Sequence, residues 1–166
     1  MRHLDTIKGK IQTHHQLEKT LQNWKAQNQK IVFTNGCFDI LHLGHADYLA
    51  KAAELGDKLV VGLNSDTSVS KLKGDHRPIT DQKSRAFLLA SFAFVDAVVI
   101  FDEDTPYNLI KLVEPNILVK GGDYAIKDIV GYETVTSLGG EVVVIPLVKG
   151  YSTSHIEERI LKGKHK

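Results

Sequence analysis

This chain has almost no cysteine: Cys37 stands alone among its 166 residues. An intrachain disulfide framework is therefore excluded, and the composition fits a reducing compartment. No apolar run reaches the roughly 18 residues of a membrane-spanning helix. Residues 1–10 are polar and lack the apolar centre of a signal peptide. Neither sign of charge prevails, with 21 Lys and Arg against 20 Asp and Glu for a net charge of +1. That balance argues against a general nucleic-acid coat or an acidic tail. The chain also lacks internal repeats, low-complexity tracts, a Walker A pattern and a dinucleotide GxGxxG. The expectation is a cytoplasmic domain with no nucleic-acid or membrane partner.

What is present is ordinary globular material, 42% hydrophobic and 25% charged, which argues against disorder. Apolar β-rich runs fall at 30–34 (KIVFT), 58–63 (KLVVGL), 97–101 (AVVIF), 117–119 and 142–145 (VVVI). Between them lie segments of helical character. Leu17, Leu21 and Trp24 recur at helical spacing over 14–26, an amphipathic leading helix. Helices are predicted over 43–55 with Gly56 as C-cap, over 81–92, and over 132–138. Another runs to Val113, with Thr105 as cap and Pro106 in the first turn. The last opens with a capping box from Ser154 to Glu157. Residues 64–80, polar and punctuated by Gly74 and Pro78, read as a loop.

The strands are unbroken apolar runs, as expected when helices cover both faces of a sheet. The predicted fold is α/β: a Rossmann-like, doubly wound, mostly parallel five-stranded sheet. Residues 1–29 form a helical extension before a domain over 30–166. In such sheets ligands bind at the carboxyl ends of the strands, near the switch in strand order.

Four segments at those ends carry polar chemistry. The first, Asn35 to His45, leaves a strand and turns on Gly36. His42 and His45 then fall on one face of a helix start, and Gly44 between them allows close backbone approach. Two imidazoles at a helix N-terminus suit an anion that gains charge in a transition state. Two satisfied structural histidines, or metal ligation together with Asp39, also fit the pair.

The second segment, 65–85, clusters Lys71, Lys73, Arg77 and Arg85 with Asp66, either a phosphate clamp or a solvated basic loop. The third, Lys120-Gly121-Gly122-Asp123-Tyr124, offers a cation, open amides, an acceptor and an aromatic for a base or sugar; a plain glycine turn fits as well. In the fourth, Ser152-Thr153-Ser154 sets hydroxyls and free amides at a helix start, suiting an anion or simple capping by Ser154. Cys37 reads as a small buried hydrophobe.

The HxGH turn at His42-Leu43-Gly44-His45, followed by Ser152-Thr153-Ser154 before the last helix, resembles the cytidylyltransferase-like nucleotidyltransferase family over about 30–162. Further stretches are similar to its members that make ADP-heptose: Leu72-Lys73-Gly74, Arg77-Pro78-Ile79, 101–106, 119–124 and Val130-Gly131. The resemblance implies transfer of AMP from ATP to a heptose 1-phosphate with Mg²⁺, in a homodimer and without a fused sugar kinase. It implies that His42 and His45, with Lys71 or Lys73, stabilise the transferred group. Ser152, Thr153 and Ser154 would hold the triphosphate, and Thr34, Asn35, Gly36, Cys37, Phe38, Gly44, Lys120, Gly121 and Asp123 would lie along the nucleotide. Asp39, Asp66, Arg77, Arg85 and Tyr124 fall to the acceptor side. One departure is Ala93, where related cytidylyltransferases carry an arginine before the third strand. A relative acting on an alcohol phosphate, or a nucleotide-binding sensor without turnover, stays open on these residues.

Overall fold

The computed structural model describes residues 2–163. Helices α1 (His3–Lys10) and α2 (His14–Ala26) precede β1 (Ile31–Gly36), α3 (Leu43–Ala53), β2 (Lys58–Asn64), α4 (Asp66–Lys73) and α5 (Gln82–Ser91). There follow β3 (Ala97–Phe101), α6 (Tyr107–Val113), β4 (Ile117–Gly121), α7 (Tyr132–Ser137), β5 (Glu141–Ile145) and α8 (Thr153–Gly163). The sheet order is β3-β2-β1-β4-β5, and every pairing is parallel. The α/β Rossmann-like fold is therefore the one its alternating apolar runs predict.

Strand residues divide between two cores, because successive side chains leave a strand on opposite faces. In β1, Val32 joins one core while Ile31 and Phe33 join the other. The first core is closed by Leu49 and Ala52 of α3, by Ala86 and Leu89 of α5, and by Ile7 of α1 at its margin. The second is closed by Leu17 and Leu21 of α2, Leu109 and Ile110 of α6, and Val135 of α7. The two leading helices thus pack on the sheet itself, and Ile11 between them bridges to Val98 of β3.

Four local expectations need correction. Residues 66–73 are helical, not loop: the Ser65 side chain accepts from the Ser68 amide, and only Ser68 and Val69 of α4 are buried. The Thr105 hydroxyl does not cap α6; Pro106 occupies the cap position without a side-chain bond. Gly56 is not in the left-handed conformation of a C-cap; a Cβ there would sit 2.7 Å from the Lys30 carbonyl oxygen, so close chain approach accounts for it. The cap of α8 is Ser152, whose Oγ accepts from the His155 amide at 3.1 Å. Glu157 pairs with Arg77 instead of closing a box with Ser154.

Candidate active site

The strand order reverses between β1 and β4, and the crevice above that switch point is where such sheets bind ligands. At the end of β1 the chain makes a strained turn. Phe38, a non-glycine residue, has φ of 46°, a conformation that persists only where its surroundings enforce it. Its ring is buried and meets the edge of His45 at a centroid distance of 5.2 Å.

The turn delivers His42 to the N-cap of α3, where its Nδ1 accepts from the His45 amide at 3.4 Å. An accepting Nδ1 leaves the proton of a neutral imidazole on Nε2. The two rings stack with centroids 3.8 Å apart. A Cβ on Gly44 would lie 3.1 Å from the His42 ring and 3.3 Å from Tyr151 Cβ, so only glycine lets α3, the ring and the α8 approach meet here.

Two cavities join at this turn, sharing Cys37, Phe38 and His45. The larger, about 450 Å³, continues along Val69 and Lys73 of α4, His76, and Thr153 and Ser154 of α8. The smaller, about 190 Å³, continues along Asn35, Gly36, Tyr48, Lys120 and Gly121, over the β1–β4 switch point. Lys120 donates to Asn35 Oδ1 at 3.4 Å, and burial pulls its ammonium below the ordinary lysine range. Burial also pushes the Cys37 thiol up, so a neutral Sγ lines both cavities.

Burial drives the His45 pKa from 6.5 down to about 4; the neighbouring His42 adds to this and a hydrogen bond with the Ile40 backbone opposes it. Its Nδ1 is buried without a partner among the described residues, an arrangement rare in folded proteins. Between pH 6.5 and about 4 the unfolded chain binds more protons at this position than the folded one. Stability from neutral His45 is complete above the first value and is lost as pH falls towards the second. Asp39 acts in the same sense further down, below its ordinary value of 3.8, where its carboxyl, held low, must protonate. Melting temperature is therefore expected to fall from pH 7 to pH 4, less steeply in His45→Gln than in the parent. Parallel slopes by calorimetry would contradict this.

Several expected substrate contacts are engaged within the protein. Burial raises the Asp39 carboxyl, but the Thr80 and Ile79 amides and the Arg77 guanidinium more than offset it, leaving it below its usual range. Arg77 donates to Asp39 at 2.9 Å and also to Glu157, tying α8 to the chain after α4. Arg85 is fully buried, and donates to the carbonyls of Thr80 (2.9 Å), Cys37 (2.6 Å) and Asn64 (2.8 Å) and to Asp66 (2.7 Å). Arg85 and Asp66 line neither cavity, whereas Asp39, Arg77 and Glu157 lie in the wall of the larger one already paired with one another.

Thr34 is also fully buried, its hydroxyl bonded to Tyr48, so no ligand reaches that side chain. Lys71 points away towards Asp104 at 3.9 Å, whereas Lys73 lines the larger cavity. Asp123 and Tyr124 are exposed beyond both cavities. His76, which sequence reasoning passed over, lies in the cavity wall; its place beside Gly74 in the basic segment was the available signal. Tyr48, read only as packing, also donates to the Val119 carbonyl and so links α3 to β4.

A parallel α/β sheet with a histidine turn and an amide-rich helix start over its switch point defines a nucleotide-handling domain. The family model described as Cytidylyltransferase-like matches residues 33–159, and the chain belongs to that family of nucleotidyltransferases. Among its curated relatives, the bifunctional protein HldE of Helicobacter pylori is 59% identical over 144 residues, covering 87% of this chain and 30% of that protein. HldE of Nitrobacter hamburgensis is 54% identical over 143 residues, covering 86% and 29%. The chain therefore spans about three-tenths of the length of these relatives.

The crystal structure of the lipopolysaccharide core biosynthesis protein from Thermoplasma volcanium matches with a TM-score of 0.58 at 32% identity, covering 75% of this chain and 99% of that one. Pantoate-beta-alanine ligase from Francisella tularensis, at 18% identity and a TM-score of 0.63 over 89% of this chain and 75% of its own, shares the fold. No helix among the described residues is long and apolar enough to cross a membrane.

Proposed function

We propose that the chain transfers AMP from ATP to a heptose 1-phosphate, releasing pyrophosphate. An acceptor phosphate oxygen bonds to the α-phosphorus of ATP, and the bond from that phosphorus to the oxygen bridging it to the β-phosphate breaks. The observation that carries the proposal is the meeting of two cavities at His45, one over the switch point and one between α4 and α8. That is the layout two substrates need to react in line. The acceptor phosphate has a second pKa near 6, so it attacks as an anion and needs no general base. The protein's task is alignment and stabilisation of spreading negative charge. His45, Lys73, Lys120 and the start of α8 at Thr153 and Ser154 line the two cavities and are the groups positioned for it, while His42, which lines neither, fixes the His45 amide through its Nδ1.

The choice of acceptor is supported by the stretches similar to ADP-heptose-forming members and by the neighbour described as a lipopolysaccharide core biosynthesis protein. Among the described residues no three His, Cys, Asp or Glu side chains gather into a metal site. The nearest carboxylates, Asp39 and Glu157, pair with Arg77. Mg²⁺ is accordingly proposed to arrive on the triphosphate as part of the substrate, the habitual mode for that ion.

Pyrophosphate release with ATP or CTP against a panel of phosphorylated acceptors tests the proposal. ATP with heptose 1-phosphate is expected to give the highest kcat/KM. Preference for CTP with an alcohol phosphate would replace this reading by another activity of the family. ATP binding without pyrophosphate release from any acceptor would make the domain a sensor.

A further inference from the structure

We propose that His76, with Lys73, forms the subsite for the acceptor's phosphate, a role resting on the two-substrate reading above. The larger cavity has two walls. One is the start of α8, with Thr153 and Ser154, reached from β5; the other is the end of α4 and the chain after it, reached from β2 on the far side of β1. His45 stands between them. In-line transfer places the attacking and leaving oxygens on opposite sides of the α-phosphorus. The base end of ATP occupies the switch-point cavity, and its pyrophosphate lies against the free amides of α8. The α4 wall is then left for the attacking phosphate.

That wall holds three basic side chains, and the structure separates them. Arg77 has its charge countered by Asp39 and Glu157, one bond from each terminal nitrogen. No hydrogen bond or ion pair ties Lys73 or His76 to another described residue, so their donors are open. The formal charges lining the cavity are Asp39 and Glu157 against Lys73 and Arg77, which cancel while His76 is neutral. A phosphate bearing nearly two negative charges therefore gains from every additional donor on this wall, and His76 supplies one. Its ring lies against the turn at Gly74. Gly74 has φ of 98°, and a Cβ there would stand 3.1 Å from the imidazole, so glycine lets the ring fold over the turn at the cavity wall.

The test compares the parent chain with His76→Ala, His76→Gln and His76→Lys, using steady-state kinetics and calorimetric titration of inorganic phosphate onto the protein with a non-hydrolysable ATP analogue bound. The acceptor KM is expected to rise about tenfold in His76→Ala, the scale of one charge-assisted hydrogen bond. His76→Lys should restore most of it, and the KM for ATP should stay within about twofold. Phosphate affinity should weaken by the same factor. An unchanged acceptor KM, or a rise in the ATP KM instead, overturns the assignment. If the parent gives no product with heptose 1-phosphate, the activity proposed above fails while the phosphate titration still decides the subsite. Phosphate binding equal in parent and His76→Ala would then overturn it.

Discussion

His45→Ala is expected to lower kcat about 10²- to 10³-fold while leaving the KM for ATP within a few-fold, the pattern of an interaction made mainly in the transition state. Three observations converge on this residue. It is one of three residues lining both cavities and the only titratable one of them besides the neutral Cys37, its Nδ1 is buried without a partner among the described residues, and burial keeps it neutral down to about pH 4. A neutral imidazole is a weak partner for a ground-state phosphate. As negative charge spreads over the α-phosphoryl oxygens, that charge offsets the burial and raises the imidazole's proton affinity. The interaction therefore strengthens along the reaction, which is the condition for raising kcat.

The stacked His42 ring, 3.8 Å away, makes two simultaneous positive charges unfavourable in the resting site. His42→Ala removes the stacked ring and the side-chain acceptor that fixes the His45 amide, and is expected to cost a comparable factor. The double variant should lose much less than the product of the two, because paired groups of this kind are strongly non-additive. Single-turnover assays with ATP saturating would measure all three. A loss below tenfold in His45→Ala would show that the imidazole only fills space, and His45→Gln would then match the parent.

The sheet was legible because five apolar runs alternated with amphipathic segments; that pattern depends on burial, which the sequence encodes directly. The histidine turn was legible because its glycine and two imidazoles are local in sequence. The helix over 66–73 was not, because α4 buries only Ser68 and Val69 and offers too few apolar positions for a period to show. That omission blurred the site. Once α4 is helical, residues two apart lie on nearly opposite faces, so Lys73 lines the cavity while Lys71 turns to Asp104. The two arginines were legible as charges but not as roles. Their partners, Asp39 and Glu157 for Arg77 and three carbonyls for Arg85, lie up to 80 positions away along the chain. Spacing carries no information about such partners. The same holds for Thr34, whose position at a strand end suggested ligand contact but whose hydroxyl turns inward to Tyr48.

Arg85→Ala is expected to be the most destabilising of the substitutions considered, by about 3–5 kcal/mol, combining the cavity left by a large side chain with unsatisfied buried acceptors. Arg85 has no solvent exposure, and its guanidinium holds together pieces distant in sequence: the end of β1 at the Cys37 carbonyl, the end of β2 at the Asn64 carbonyl, the chain before α5 at Thr80, and the start of α4 at Asp66. Deleting it strands three carbonyls, while Asp66 is open enough to rehydrate. For a chain of this size that loss corresponds to a melting temperature lower by about 10 °C.

Lysine restores the charge but not the planar fork, and it cannot reach acceptors in four directions. Arg85→Lys is therefore expected to recover part of the stability and to expose a second effect. The Cys37 carbonyl adjoins the strained Phe38, so loosening its anchor relaxes the turn that aims both histidines. A folded Arg85→Lys enzyme should lose about tenfold in kcat, as misplacement by a fraction of an ångström does elsewhere. An arginine that instead contacts the acceptor would give a different pattern: little change in melting temperature and a raised acceptor KM at constant kcat. Thermal melts and acceptor titrations on the same two variants separate bracket from ligand, and a melting temperature within about 2 °C of the parent in Arg85→Ala, the range of a surface substitution, would refute the bracket.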